Sequence, residues 1–318
     1  MNIIFTVCNR TNLTNALALG NSAMQFPGYT FYLCWADTGT VPNLPENIKL
    51  LRITELNIPG WEQMLSRYYD FELLPASRPW FAKQLIRKHQ ELQTLIFFAP
   101  TVYLYNSIDH IAGKNYDLQL TPNISSPLKK SGLLDDKRIL NIGMFHSGSW
   151  ILRKSTASLE FLDWWAERTL DRAKFDLCNG MCLDQLWLNY AFVRIKNLFQ
   201  ISQPGWHYGL HSVLNQELGF SNGKYSVDGN TLISIDFAGV HSFDPIWSDH
   251  KRLLYKNSNF KKLYVEYQKS LGIFENFKPL ETTPGYGMIP EIKNHRLLRK
   301  EISAKLKSLI RTIDLFEF

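Results

Sequence analysis

The residues of this 318-residue chain best suited to chemistry are a few carboxylates with polar or cationic neighbours and a set of histidines. Asp184, followed by Gln185 and preceded by the turn residue Gly180, stands where a helix is expected to begin. A carboxylate there is able to take a proton from a hydroxyl or to orient a ligand, and it is equally able to cap the helix. Asp236, in an Asp-Phe-Ala-Gly segment, is a second candidate. Asp37 follows the apolar run Phe31 to Trp35 and offers acceptors to a hydroxyl or to a turn. Arg78 precedes Pro79, and proline suits the first turn of a helix. A guanidinium at a helix start presents a fork of donors to an anion that lysine cannot supply; the plainer alternative is a surface ion pair. Arg10, His146, His207 and His211 complete the set able to carry positive charge.

These side chains need a scaffold, and the hydrophobic pattern supplies one. Asn2 to Cys8 is a short β-branched apolar run, and Thr11 to Met24 places Leu13, Ala16, Leu17 and Ala23 at helical spacing. Phe31 to Trp35 and Ile48 to Ile53 read as strands, and Arg78-Pro79 opens a helix through Leu85 to Leu92. Leu95 to Phe98 is the continuous apolar strand of a sheet covered on both faces. Further on, Gly148 to Leu152 reads as a strand, Ser158 to Leu170 and Leu183 to Phe192 as helices, and Lys129 to Lys137 as a loop. Strands alternating with helices imply an α/β fold with a largely parallel sheet.

Composition narrows the class. A chain with 45% hydrophobic residues buries a full core, and its 14% aromatic content suits either that core or the walls of a ligand cleft. Met1 to Cys8 lacks the basic region of a secretory signal. No stretch approaches the roughly 20 apolar residues of a membrane-spanning helix. Cys8, Cys34, Cys178 and Cys182 make neither a disulfide framework nor paired zinc motifs; Cys178 and Cys182 read as small residues around the Gly180 turn. A cytoplasmic protein is expected. Residues 293–311 hold seven Lys and Arg against Glu301, so the net charge of +6 lies there and the remainder is neutral. A neutral body argues against nucleic acid as a partner.

A series of short motifs runs through the chain in order. Thr6-Val7-Cys8-Asn9-Arg10-Thr11-Asn12-Leu13 carries the first strand into its helix, Asp37 closes the second strand, and Arg78-Pro79 precedes the central strand. Leu120-Thr121-Pro122-Asn123, His146-Ser147-Gly148, Trp164-Trp165-x-x-Arg168, Asp184-Gln185 with Trp187, and Pro204-Gly205-Trp206 follow. Together they resemble bacterial glycosyltransferases of the GT-A fold, relatives of the glycogenin and galactosyltransferase group, over roughly residues 2 to 272. The resemblance implies a Rossmann-like domain over 1–275, with a central, largely parallel mixed sheet flanked by helices, and an extension over 276–318. It also implies transfer of a sugar from a nucleotide-sugar donor, UDP- or GDP-linked, to a glycan or lipid-linked acceptor. Thr6, Val7, Cys8, Asn9, Arg10, Asp37, Arg78, Ala99 and Thr101 fall where such enzymes hold the nucleotide sugar. Asn123, His146, Ser147, Gly148, Trp206, His207 and His211 fall where the sugar or acceptor lies, and Asp184, Gln185 and Asp236 at catalytic positions. Of the aromatics, Trp206 in its loop is the one expected to stack on a sugar. Loops at the carboxyl ends of parallel strands are where α/β folds take such ligands.

One departure is chemical. Most relatives end the central strand in Asp-x-Asp, which holds a divalent cation on the diphosphate, and complete the shell with a His-Phe-Ser-Gly segment. Here the first is Ala99-Pro100-Thr101 and the second Asp236-Phe237-Ala238-Gly239. Alanine offers no oxygen and threonine only a neutral hydroxyl to a hard cation. The resemblance therefore implies a donor site without an Asp-x-Asp metal, in which Arg78, Arg10 and the histidines meet the leaving-group charge; a site rebuilt on Asp236 has one carboxylate. The rival reading is a non-catalytic scaffold or binding protein of a glycan-assembly system, and a third is a structural subunit without a ligand. Beyond the domain, Leu298, Ile302, Leu306, Leu309 and Ile313 form one stripe of a basic amphipathic helix. Such a helix suits the anionic inner face of a membrane, or a dock on its own domain or a partner.

Overall fold

The computed structural model describes residues 1–41, 44–128, 134, 136–289 and 296–316; most of the expected 129–137 loop lies outside the described residues. The chain runs β1 (Asn2–Cys8), α1 (Leu13–Ala23), β2 (Tyr29–Trp35), β3 (Ile48–Arg52), α2 (Trp61–Arg67), α3 (Asp70–Lys88), β4 (Thr94–Phe98), β5 (Val102–Leu104), α4 (Asp109–Ala112), β6 (Leu118–Pro122), α5 (Asp136–Ile142), β7 (Phe145–Arg153) and α6 (Thr156–Thr169). It continues through β8 (Phe175–Asp176), β9 (Met181–Cys182), α7 (Ala191–Arg194), β10 (Leu198–Gln200), β11 (Leu218–Ser221), β12 (Lys224–Val227), β13 (Asn230–Thr231), β14 (Ser234–Asp236) and α8 (Ser258–Gly272).

The main sheet has seven strands in the order β10-β6-β7-β4-β1-β2-β3. All neighbours pair in parallel except those of β7, which is antiparallel to both β4 and β6. The expected α/β fold with a largely parallel mixed sheet is what forms. The chain leaves β1 for β2 and β3 on one side and returns to β4 on the other. The crevice of such a sheet opens at the carboxyl ends of the two strands that flank this reversal, β1 and β4. Those strands are apolar on both faces, as their sequence requires, and Phe5, Phe97, Trp150 and Trp165 interlock ring to ring with centroids 5.1–5.6 Å apart. Much of the aromatic content is therefore core.

Two helical expectations change. The helix carrying Arg78 starts at Asp70, so Pro75 and Pro79 lie inside it and Arg78 is not at a helix start. The two prolines are four residues apart, so the N–H absent at Pro79 is the one that would have met the carbonyl of Pro75. Tertiary contacts outweigh that cost. Glu72 accepts from the Phe175 N–H at 2.7 Å, and Trp80 Nε1 donates to Thr169 Oγ1 at 3.2 Å. The stretch Leu183 to Phe192 is a 3-10 segment, Gln185–Tyr190, running into the short α7.

Packing groups residues 1–288 into one compact unit and 289–318 into a second. In the second unit, α9 (Arg296–Asp314) exposes Leu298, Ile302, Leu306, Leu309 and Ile313. No described helix is long and apolar enough to cross a membrane.

The junction of α3 and α6 depends on the buried Tyr68 hydroxyl, which donates to the Thr169 carbonyl at 2.9 Å and accepts from the Ala173 N–H at 3.0 Å. Tyr68→Phe leaves both groups unsatisfied. It is expected to cost about 1–3 kcal/mol, read as a lower urea midpoint with an unchanged slope.

Candidate active site

Arg78 sits at the centre of the cluster. From the interior of α3 its guanidinium lies 4.9 Å from the centroid of the Phe97 ring. Nη1 donates to Ser147 Oγ at 2.8 Å and to both Asp184 oxygens at 3.2 and 3.3 Å. Asp184 starts the 3-10 segment, yet its side chain makes no cap hydrogen bond, so it serves the ion pair and not the helix end. Its neighbour Gln185 accepts from the Ser147 N–H at 3.0 Å and donates to the Ile142 carbonyl at 2.9 Å, while Trp165 Nε1 donates to the Asp184 carbonyl. Burial raises the Asp184 pKa, and Arg78 and Ser147 work against that rise. Asp184 and Gln185 are 0% and 1% exposed.

Beside this pair a register shift between Leu120 and Thr121 leaves Ser147, Gly148 and Ser149 of β7 without ladder partners on β6, a bulge on that side of the strand. The bulge turns His146 toward His207, 4.4 Å away between ring centroids, and His211, at 5.3 Å. Gly148 is required there: a β-carbon would approach His146 to 2.8 Å and His207 to 3.2 Å. His207 itself takes a left-handed backbone, with φ of 53°. Asp236, on β14, receives Thr101 Oγ1 at 2.6 Å and the Ala238 N–H at 2.9 Å on Oδ1. Its Oδ2 faces His207 Nε2 at 3.5 Å and His146 Nε2 at 3.8 Å. Burial lifts the Asp236 pKa to about 6. Burial also lowers all three histidines, His211 to about 4, which favours their neutral forms over the cationic role expected of them.

Ligand atoms of His146, His207 and Asp236 lie within 4.8 Å of one another, a group able to hold a metal ion. The donor chemistry fits in part. His207 Nε2 and Nδ1 have no hydrogen-bond partner. His146 Nδ1, however, accepts from the Gly148 N–H at 2.9 Å, so the neutral ring carries its proton on Nε2, the atom turned to the cluster. A histidine that binds metal through Nε2 normally donates from Nδ1. Two free donors, one imidazole nitrogen and one carboxylate oxygen, are a poor cage for a hard cation. Ala99 instead donates its N–H to the Gly148 carbonyl at 2.7 Å.

At the carboxyl ends of β1 and β2, Arg10 and Asp37 form a two-pronged pair, Nε to Oδ2 at 2.8 Å and Nη2 to Oδ1 at 3.0 Å. Asp37 also accepts the N–H groups of Arg10, Thr38 and Gly285. Burial would raise its pKa, but these donors outweigh it and hold the carboxyl below its usual range. Of the residues expected at the nucleotide sugar, Thr6, Val7 and Cys8 are buried strand residues paired with Leu33, Cys34 and Trp35. Burial also raises the Cys8 thiol. Only Asn9 and Arg10 lie beyond the strand.

A shallow, open recess is lined by His211 together with Asn123, Gln203, Trp206, Ser212 and Asn215 among others. Asn123 Oδ1 is buried without a partner. Trp206 is not a free stacking face. It is 4% exposed, lies against Phe98 and donates to Thr121 Oγ1 at 2.8 Å. Thr38, Glu281 and Gly285 are not among the residues expected from the sequence, nor is Asp244, whose Oδ1 accepts the Ile246 and Trp247 N–H groups. The Asp244-Pro245 turn signal could have found the last of these.

Comparison with known proteins gives limited likenesses. No family model matches the chain. The Bacillus subtilis (strain 168) protein YfnF, itself uncharacterized, is 25% identical over 171 residues, which cover 51% of this chain and 54% of YfnF. The match thus spans about half the length of that relative. Among solved structures, the galactosyltransferase LgtC in complex with donor and acceptor sugar analogues matches at 11% identity and a TM-score of 0.47, over 92% of this chain and 98% of that one. A glycosyltransferase involved in glycosylation of the major capsid of PBCV-1 matches at 10% identity and a TM-score of 0.45, over 79% and 98%.

Asp37→Asn should destabilise the chain on the order of 3 kcal/mol at neutral pH by leaving Arg10 short of its partner. Because the folded pKa lies below the unfolded value of about 3.9, Asp37's contribution is present above that value and lost as pH falls through the folded one. Denaturation of the two chains across pH should therefore show a gap that closes only in acid.

Proposed function

We propose that the protein is a glycosyltransferase moving a sugar from a nucleotide-sugar donor to a glycan or lipid-linked acceptor, without an Asp-x-Asp-bound metal. The observation that carries this reading is convergence. Motifs spread from residue 78 to residue 236 meet in direct contact at one edge of the sheet: Arg78 with Ser147 and Asp184, Gln185 with Ser147, and Thr101 with Asp236. In such a transfer the acceptor oxygen bonds to the anomeric carbon, the bond from that carbon to the diphosphate breaks, and the acceptor proton leaves. Asp184 is the carboxylate for orienting the sugar or taking that proton. Arg78 and Arg10 are the fixed cations for the diphosphate charge.

Thermal unfolding with UDP, GDP and their sugars, with manganese or with chelator, tests this. One nucleotide family should raise stability in both conditions, by about 2.7 kcal/mol at a hundred times its dissociation constant. Asp184→Asn should keep that stabilisation and lose turnover. The full burial of Asp184 and Gln185 favours a second reading, a binding or scaffold protein without turnover. Nucleotide stabilisation with no transfer by the unaltered chain would select it.

For α9 we propose attachment to an anionic membrane surface. Its exposed apolar stripe lies on a helix that also exposes Lys305, Lys307 and Arg311. Phosphatidylserine vesicles should sediment the full chain and not a chain ending at Pro290; equal binding by both would sink the idea.

A further inference from the structure

Residues 281–288 cross the carboxyl edge of the sheet from β1 to α3. The Glu281 carboxylate pairs with Arg10 Nη1 just beyond β1. Gly285 donates its N–H to Asp37 Oδ1 at 2.7 Å just beyond β2. Tyr286 meets Trp61 of α2 edge to face at 5.5 Å. Met288 then pairs with the start of α3, donating to the Tyr68 carbonyl at 2.7 Å and accepting from the Asp70 N–H at 3.1 Å. The path needs two glycines. A β-carbon at Gly285 would fall 1.7 Å from Thr38 Oγ1, and one at Gly287, whose φ is 87°, would fall 2.8 Å from the Asp70 backbone.

The segment uses the groups that a nucleotide would use. A ribose hydroxyl would donate to Asp37, as the Gly285 N–H does; a phosphate would accept from Arg10, as the Glu281 carboxylate does. We propose that residues 281–288 are a strap that competes with a nucleoside diphosphate for the Arg10–Asp37 pair and must lift before the ligand seats. This rests on the donor site of the proposed function. The two ends of the strap are held unequally. Its leading end is light: the Glu281 side chain is 83% exposed, Leu280, Thr282 and Thr283 are exposed, and an ion pair so placed contributes little. The trailing end is fixed by the two backbone hydrogen bonds of Met288. Lifting therefore hinges near Gly287, and the apparent affinity of the ligand is reduced by the fraction of molecules with the strap raised.

Titration calorimetry of UDP and GDP into the full chain, Glu281→Ala and Gly285→Ala tests this. The first variant removes the mimic of the phosphate, and the second pushes the strap from Thr38. Both should bind the same nucleotide at least several-fold more tightly than the unaltered chain. Hydrogen exchange at the Gly285 amide of the unaltered chain should speed up on adding that nucleotide. Binding by the variants alone supports the strap most directly. Equal or weaker binding by the variants, with the Gly285 amide still protected in the complex, overturns the strap and leaves the donor site standing. No binding of either nucleotide to any of the three chains overturns both.

Discussion

The charge of Arg78 is the constraint around which the rest of the site is arranged. Its guanidinium lies on the Phe97 ring and is directly bonded to Ser147 and Asp184. Its field also lowers the pKa of three buried acids, Asp184, Asp236 and Asp244, each of which burial raises, and of His146, which burial already lowers. A buried carboxylate stripped of its partner costs roughly 3–5 kcal/mol, so these groups are not independent. Placing the arginine inside a long helix explains how it stays put. A residue at a fraying helix end would hold the same charge less rigidly.

Around that charge the sheet acts as a ruler. β1 runs two residues past the end of β4, and the bulge in β7 brings His146, Ser147 and Gly148 to the same edge from the opposite direction. The Thr101–Asp236 hydrogen bond then joins the turn after β4 to β14. There a neutral hydroxyl donates to a carboxylate. Hydrogen bonds, the Arg78–Asp184 ion pair and ring contacts among the histidines hold the cluster, with the His146 proton oriented by a backbone N–H.

Much of this was legible in the residues. β1, β2, β3, β4, β7 and α6 follow from apolar runs and helical spacing, because those elements bury their patterned faces against one another. The helix through Arg78 was misread because Pro79 is a start signal by local rules, while contacts of Tyr68, Glu72 and Trp80 with α6 and β8 carry the helix through it. The short strands after residue 198 have no periodicity long enough to read. Asp37 was legible as an acceptor at a strand end, but its partner Gly285 lies 248 positions away and no local signal links them. Trp206 looked free because it follows Pro204-Gly205; its burial depends on Thr121 and Phe98 from other strands.

The Thr101–Asp236 bond spans 135 positions, which bears on how the molecule comes into being. A ribosome releases the chain from its N-terminus, and the parallel pairs among β1, β2, β3 and β4 are complete once about the first third has emerged. The turn at Ala99 to Thr101 must then wait for β14. Arg78 lacks its partner until Asp184 emerges, and Thr101 lacks its acceptor until β14 does. The nascent sheet therefore carries an open, polar edge while the residues between β4 and β14 are made, and the site is not complete before then.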